Sequence, residues 1–450
     1  MNSKYDPLEG RIAPVFFHYA IPSVFGMLAI SSAVIVDGIF LGNYVGASAL
    51  AAVNLSVPVI SLLYAIVFML AVGGSVMCGK HLGAGDTQQA SSIFTKTLLS
   101  ALAGSVAVCL PGLIFIEGLI KGLGANASLS LMVEDYLAII FWFGPLFCLG
   151  YTLFYFVRLD GRPMYASVAL ALSALVNILL DWLFIVEMDA GIKGAAWATG
   201  IAQGLIFLFL LPHFLSPSSH LEWLNSRKGW GDMLRASANG FSEFTNELSA
   251  GVMILLFNWV IIHRLGVDGV AAFTIVEYVL FVSVMIAYGI SESLQPTISK
   301  NLGARQTEKI SGFLMVASKS WLMVGLFFCG LLIVFPDALI SVFLKDSELQ
   351  TQAIAREFIY FFWPVFLFNG LNIVLSSYFT TVQKPLHSAA IAISRSLLLP
   401  VFCLLLLSSW LGDIGVYIAV PIAECLTFIL AIWLYTKNRP ATLITSDYQN

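Results

Sequence analysis

The sequence predicts an all-α membrane protein, with twelve transmembrane helices in two pseudo-symmetric six-helix bundles. Three observations lead there. The 450 residues are 59% apolar and only 11% charged, at a mean hydropathy of +0.90, whereas a soluble domain carries about 25% charged residues. The apolar residues gather into twelve runs, each long enough to cross a bilayer at about 20 residues per span. Sequence landmarks then recur at a spacing close to 220 residues.

Taken in order, the first span, 15–39, is too long for a cleavable leader, lacks a small-residue cleavage site and carries Asp37 near its far end. The second, 52–77, holds Pro58 and stops before Lys80; the third, 92–116, follows the Leu82-Gly83-Ala84 loop. Tyr136 and Phe154 lie in the fourth, 133–157, which ends at Arg158. Arg162-Pro163 then opens the fifth, 164–186, with Asn177 and Asp181, and Gly194 opens the sixth, 194–215, with Thr199 and Gln203. The polar stretch 213–233 (His213, His220, Glu222, Arg227, Lys228, Asp232) reads as a linker between an N-terminal lobe, 1–212, and a C-terminal lobe, 234–450. Glu243, Glu247 and Met253 belong to the seventh span, 236–262, and Glu277 to the eighth, 270–291. The ninth is 312–335, the tenth 357–380 with Asn369 and Asn372, the eleventh 388–411 and the twelfth 414–436 with Glu424. Proline inside such spans is tolerated, and Pro22, Pro58, Pro111, Pro145, Pro364, Pro400 and Pro421 are expected to kink them.

Basic residues set the orientation. With the N-terminus inside, only Lys121, Lys193, Arg264, Lys345 and Arg356 fall outside, leaving 17 of the 22 Lys and Arg inside. Cytoplasmic loops carry such an excess, so both termini are expected to be cytoplasmic, in a plasma (inner) membrane. Leu82-Gly83-Ala84 returns as Leu302-Gly303-Ala304, Ala51-Ala52 as Ala271-Ala272, and Gly46 as Gly266; Pro145 with Pro364, Arg162-Pro163 with Lys384-Pro385, and Gly194 with Gly415 agree within two residues. Six spans per copy keep both copies in one orientation, a design that works by rocking one half against the other around a site between them.

Several classes drop out. The net charge of −4 offers nothing to nucleic acid. Six scattered cysteines have no ligand spacing and read as small buried hydrophobes. No GxxxxGK[ST] loop or HExxH pattern is present, so neither an ATP-driven engine nor a membrane enzyme is indicated, and no resident cofactor is expected. Energy would come from an ion gradient.

The candidate chemistry is acidic. A carboxylate at a helix centre costs about 3 kcal/mol to insert, so such residues face a protein interior or a water-filled cavity. Asn177 and Asp181, four apart, share a helix face, and Asp37, Asp181 and Thr199 all fall at a similar depth below one surface. These four oxygen-bearing side chains can form a proton site at Asp37 and Asp181, or a Na⁺ site of all four; hydrogen-bonded helix packing is the plainer alternative. In the second half, Glu247 is the first candidate for recognising a cationic substrate or for coupling, followed by Glu277. Glu292 is close enough to the inner surface for interfacial solvation. Tyr136, Phe154, Met253, Asn369 and Asn372 are candidate cavity-lining positions.

Asp37 in VDGIFLG, Pro58 in VNLSVP, the Leu82-Gly83-Ala84 loop, LNILLDWLFI around Asn177 and Asp181, and Gly194-Ala195-Ala196-Trp197-Ala198-Thr199 together resemble the multidrug and toxic compound extrusion (MATE) family of secondary antiporters across residues 10–436. The resemblance is closest to the DinF-like group. It implies export of small amphipathic organic cations in exchange for H⁺ or Na⁺, with Asp37, Asn177, Asp181 and Thr199 as the coupling site and Tyr136 lining the first-lobe cavity. Glu247 in FTNELSAG resembles an acid of the NorM-like branch, whose further helix-10 acid has no match here beyond Asn369 and Asn372. The expected particle is a monomer that contacts membrane lipid. A flippase or exporter of an endogenous lipid-linked or metabolic product, on the same two-lobe frame, is the alternative, and a channel is disfavoured by the duplication.

Overall fold

The computed structural model describes residues 3–224, 229–343 and 349–441, and they form helices throughout. Arg227, Lys228 and Lys345 of the charge count lie outside the described residues. In the first half the long helices are α1 (Ile12–Phe40), α2 (Ala47–Gly83), α3 (Thr87–Ile114), the short α4 (Ile116–Gly122), α5 (Ala127–Leu159), α6 (Pro163–Asp181) and α7 (Gly191–Leu215). The second half has α8 (Gly231–Asn239), α9 (Phe241–Glu292), α10 (Leu294–Gly303), α11 (Thr307–Val334), α12 (Pro336–Phe343), α13 (Leu349–Phe362), α14 (Val365–Thr381), α15 (Pro385–Ile393), α16 (Leu399–Leu411) and α17 (Asp413–Lys437).

Ten of the described helices are long and apolar enough to cross a bilayer, and α13 with α14, bent by 52° about Pro364, makes an eleventh span. The twelfth comes from α9. Its 52 residues contain the expected eighth span and the expected seventh from residue 241 onward, joined at Gly266, whose φ of 68° breaks the helix, while 236–239 belong to α8. Proline accounts for the sharp bend in the tenth span because it removes a backbone donor and crowds the preceding turn.

Duplication is visible in the backbone itself. Left-handed residues recur at matching places in the two halves: Gly46 with Gly266, Gly85 with Arg305, Gly161 with Gln383, and Gly191 with Gly412. The helices α3 and α11 even begin at residues, Asp86 and Gln306, with the same φ of −90° and ψ of 75°. At Gly46 and Gly266 this conformation turns the chain from one span into the next, and a residue with a Cβ would be strained there.

Each half has its own apolar core, and α1 serves both. Val15, Phe16, Tyr19 and Ala20 pack with Ile290, Leu294 and Phe313 of the second half, while the far part of α1 lies along α6 of the first. Both ends of the anticipated linker are helical: 213–215 close α7, with His213 buried, and 231–233 open α8, with Asp232 in its first turn.

Contacts between the halves concentrate on the face that carries the N-terminus. A Cβ on Gly83 would collide with the carbonyl oxygen of Lys300, and one on Gly303 with that of Lys80. The repeated Leu-Gly-Ala loops therefore seal this face reciprocally, each supplying the glycine that lets the other's backbone in. Nearby, Arg158 and Glu292 form an ion pair at 2.7 Å, and the Tyr155 hydroxyl donates to the same carboxylate at 3.1 Å. Glu292, expected to be solvated at the surface, is only 7% exposed; the guanidinium replaces the water.

Candidate functional site

On the side away from the seal, α1, α2, α5, α6 and α7 of the first half surround a cavity of about 210 Å³. Asp37 lies on α1 four residues before a π-helical segment, Leu41–Val45, and Asp181 closes α6 just before another, Trp182–Glu187. A π-turn accommodates an extra residue and re-aims the side chains beside it. The two π-segments touch, which brings the carboxyl groups of Asp37 and Asp181 face to face at hydrogen-bonding range.

Around this pair the structure brings together the rest of the first-lobe candidates. Asn177, one turn before Asp181, lines the cavity with Asp37, Tyr136, Thr199 and Gln203, and the Tyr136 hydroxyl reaches Thr199. Asp181 lies behind this wall at 0% exposure. Apart from the carboxyl–carboxyl contact, both oxygens of Asp181, Oδ1 of Asp37 and Nδ2 of Asn177 have no protein partner. Two adjacent carboxylates in a dry site repel, and a shared proton or a bound cation relieves that repulsion. The arrangement is suited to either.

The second half is organised differently. Glu243 and Glu247 stand one turn apart on α9, both partly exposed within the bundle, and Glu247 lies within electrostatic range of Tyr64 and Tyr151 of the first half. Those tyrosines belong to an aromatic wall in which Tyr64 meets Phe147 at 4.5 Å and Phe68 meets Tyr151 at 5.5 Å between ring centroids. Asn369 and Asn372 do not supply free lining groups: they are buried and each donates to Glu424 at 2.7 Å. Glu277 stands apart from all of these acids, without a hydrogen bond or ion pair among the described residues. Phe154 is fully buried beneath the Arg158 guanidinium, 5.0 Å from its ring centroid, and Met253 packs against the apolar core of the second half.

Four residues of this region escaped the sequence reading: Tyr64, Tyr151, Arg158 as the partner of Glu292, and Arg395. The four-residue spacings Tyr64–Phe68 and Phe147–Tyr151–Tyr155 do mark an aromatic helix face. Arg395 was counted among the inner-surface charges, yet it projects from a π-segment, Ser394–Leu398, toward Glu424 and Tyr288; no local signal separates these two situations.

The MatE family model matches residues 22–183 and 247–405. Among proteins of described function, a FAD transporter from Shewanella oneidensis is 26% identical over 99% of this chain and 100% of its own length. The multidrug export protein MepA of Staphylococcus aureus is 24% identical over 97% of each chain. Among solved structures, the outward-facing conformation of a multidrug resistance MATE family transporter superposes with a TM-score of 0.89 at 21% identity, covering 98% of both chains. A MOP superfamily transporter from Pyrococcus furiosus, described as having a binding pocket of reverse polarity, gives 0.87 at 21% identity over 98% of this chain and 97% of the other.

Proposed function

The chain belongs to the MatE family, whose members are membrane transporters and not enzymes, and from that premise we propose that it is a proton-coupled antiporter of the DinF-like kind, exporting amphipathic organic cations. The observation that carries the coupling ion is the contact between Asp37 and Asp181. With the carboxyls face to face and no basic side chain between them, one proton shared by the pair is the simplest neutraliser. Asn177, Thr199 and Tyr136 orient it, and the same oxygens are the ligands should Na⁺ take its place.

The lobes are 1–212 and 234–450, joined by 213–233, and the sealed N-terminal face is cytoplasmic in an inner-membrane monomer surrounded by lipid. Opening outward exposes the Asp37–Asp181 pair to the more acidic side, where it takes a proton as cargo leaves; turning inward releases the proton. For this to drive export, the pair must bind its proton with different affinity in the two states, since equal affinity shifts no population. Glu247, facing the aromatic wall, holds the cationic end of the cargo, for which ring faces are also attractive.

The test is dye flux in sealed liposomes under separately imposed pH and Na⁺ gradients, with wild type, Asp37→Asn, Asp181→Asn and Glu247→Gln. Flux that follows the pH gradient alone and loses its dependence in either aspartate variant supports the reading; flux that follows Na⁺ alone reassigns the ion, and flux indifferent to both rejects coupled export. A second reading, export of an endogenous metabolite, draws on the FAD transporter relative, and FAD loaded into the same liposomes distinguishes it.

A further inference from the structure

One lysine stands where a membrane helix rarely has one. Met315, Lys319, Met323 and Phe327 of α11 follow one another at steps of four, so they share a helix face, and all four are exposed. Three are apolar, as a stripe turned toward lipid requires. Lys319 lies seven residues inside the expected ninth span, roughly 10 Å along the helix, and has no hydrogen bond, ion pair or ring contact among the described residues. Charged groups at such a depth usually face a bundle interior and a partner. The duplication indicates that the fold itself does not call for this one: the residue 220 positions earlier, Leu99 on α3, is exposed and apolar.

Beside Lys319 the surface is grooved. Helices α1, α9 and α11 frame a hollow of about 290 Å³, open toward the membrane, since Phe17, Ile21, Phe25 and Met323 of its wall are exposed. Ser320, next to Lys319, is its one polar wall residue among the described residues; it is 7% exposed and its hydroxyl has no protein partner. Near the N-terminal face α1 and α11 pack together where Ile12 meets Gly312, so the groove rises from the leaflet on that face. A helical side chain leans toward the N-terminus of its helix, which aims the Lys319 ammonium back toward the same leaflet, the snorkelling posture of a lysine below a headgroup layer.

Lipid covers any such surface, and the charge selects which lipid. An apolar groove takes an acyl chain, and an unpartnered ammonium at its edge takes a phosphate. Phosphatidylethanolamine carries its own ammonium to that phosphate, whereas phosphatidylglycerol leaves the place to Lys319. We propose that the groove between α1, α9 and α11 is a site for one anionic phospholipid of the leaflet on the N-terminal face, with an acyl chain along Phe17, Ile21 and Met323 and the phosphate held by Lys319. The inference depends on neither the coupling ion nor the cargo.

Native mass spectrometry of the purified full chain, titrated in detergent with phosphatidylglycerol or phosphatidylethanolamine, tests it on wild type, Lys319→Leu, Lys319→Arg, Ile21→Trp and Arg235→Gln. Leucine is the residue that the first half carries at the equivalent place, and Arg235 is an exposed charge on α8 outside the groove. Wild type is expected to retain a first phosphatidylglycerol more tightly than a first phosphatidylethanolamine. Lys319→Leu should weaken phosphatidylglycerol about fivefold, the scale of one lysine facing an anionic lipid, and remove the preference; Lys319→Arg should keep it, and Ile21→Trp, which fills the groove, should weaken both lipids. Arg235→Gln should leave the first binding step unchanged. Wild type that does not distinguish the two lipids, a Lys319→Leu variant that keeps the preference, or an equal loss in Arg235→Gln overturns the site.

Discussion

Arg158 and Glu292 meet at 2.7 Å across the junction of the two halves, with side-chain exposures of 1% and 9%. Arg158 lies in the last turn of α5 and Glu292 is the final residue of α9, so parting the two halves at this face requires breaking the pair. It is the charged component of a seal whose steric component is the glycine contact between the 82–84 and 302–304 loops.

Removing one partner should therefore open the seal. Glu292→Ala strands a buried guanidinium whose Nε and Nη2 already lack partners, at a cost of about 3–5 kcal/mol. The shut state is expected to lose population, read as a wider distribution of spin-label distances between the halves at this face. An apolar double replacement, Arg158→Met with Glu292→Leu, should restore much of the lost stability; if it restores none, the pair is not what holds the two helices together.

The reciprocal glycines give a steric test. Gly83→Val and Gly303→Val each place a branched side chain where the other half's carbonyl lies, and overpacking of this kind costs about 1–3 kcal/mol. Both should impair flux and widen the same distances. Gly118→Val on α4, where an added Cβ meets nothing within 4 Å, is the control, and an equal effect there would remove the steric account.

Acid sensitivity should be concentrated at Asp160. Burial by itself would raise its carboxyl, but hydrogen bonds from His213 at 2.6 Å and from His220 at 2.8 Å outweigh that and hold it below the ordinary range. A group depressed in the folded state contributes stability above its unfolded value, about 3.9, and loses it as pH falls toward the folded one. The melting temperature of wild type should thus exceed that of Asp160→Asn by a constant margin from pH 7 to about pH 5, then converge on it below about pH 4. A margin that peaks in acid would contradict the sign.

Gly266→Ala isolates a backbone cost. Its φ of 68° and ψ of −163° lie in a region essentially confined to glycine, and an added Cβ would meet no atom within 4 Å, so only this backbone conformation opposes the change, by about 1–3 kcal/mol. A modest loss of thermal stability with flux retained is expected; a loss several times larger would show that the helix break depends on more than glycine's freedom.

Span length, the duplication and the grouping of the first-lobe polar residues were legible without coordinates. Hydrophobic runs, helical spacing and the offset near 220 are local or periodic properties, so Asp37, Asn177, Asp181 and Thr199 could be placed at one depth from the rise of a helix alone. The helix break after the seventh span was likewise marked by the Gly46–Gly266 correspondence. Other features depend on which surfaces meet. Whether Glu292 faces water or Arg158, 134 residues away, is settled by packing between the halves, and burial turns an expected surface charge into half of a buried ion pair. The π-segments that turn Asp37 toward Asp181 and Arg395 toward Glu424 arise from a backbone register that no residue type there announces. Asn369 and Asn372 read as chamber residues in one dimension, and the fold spends them on Glu424, because a buried carboxylate must find donors wherever the neighbouring helix supplies them.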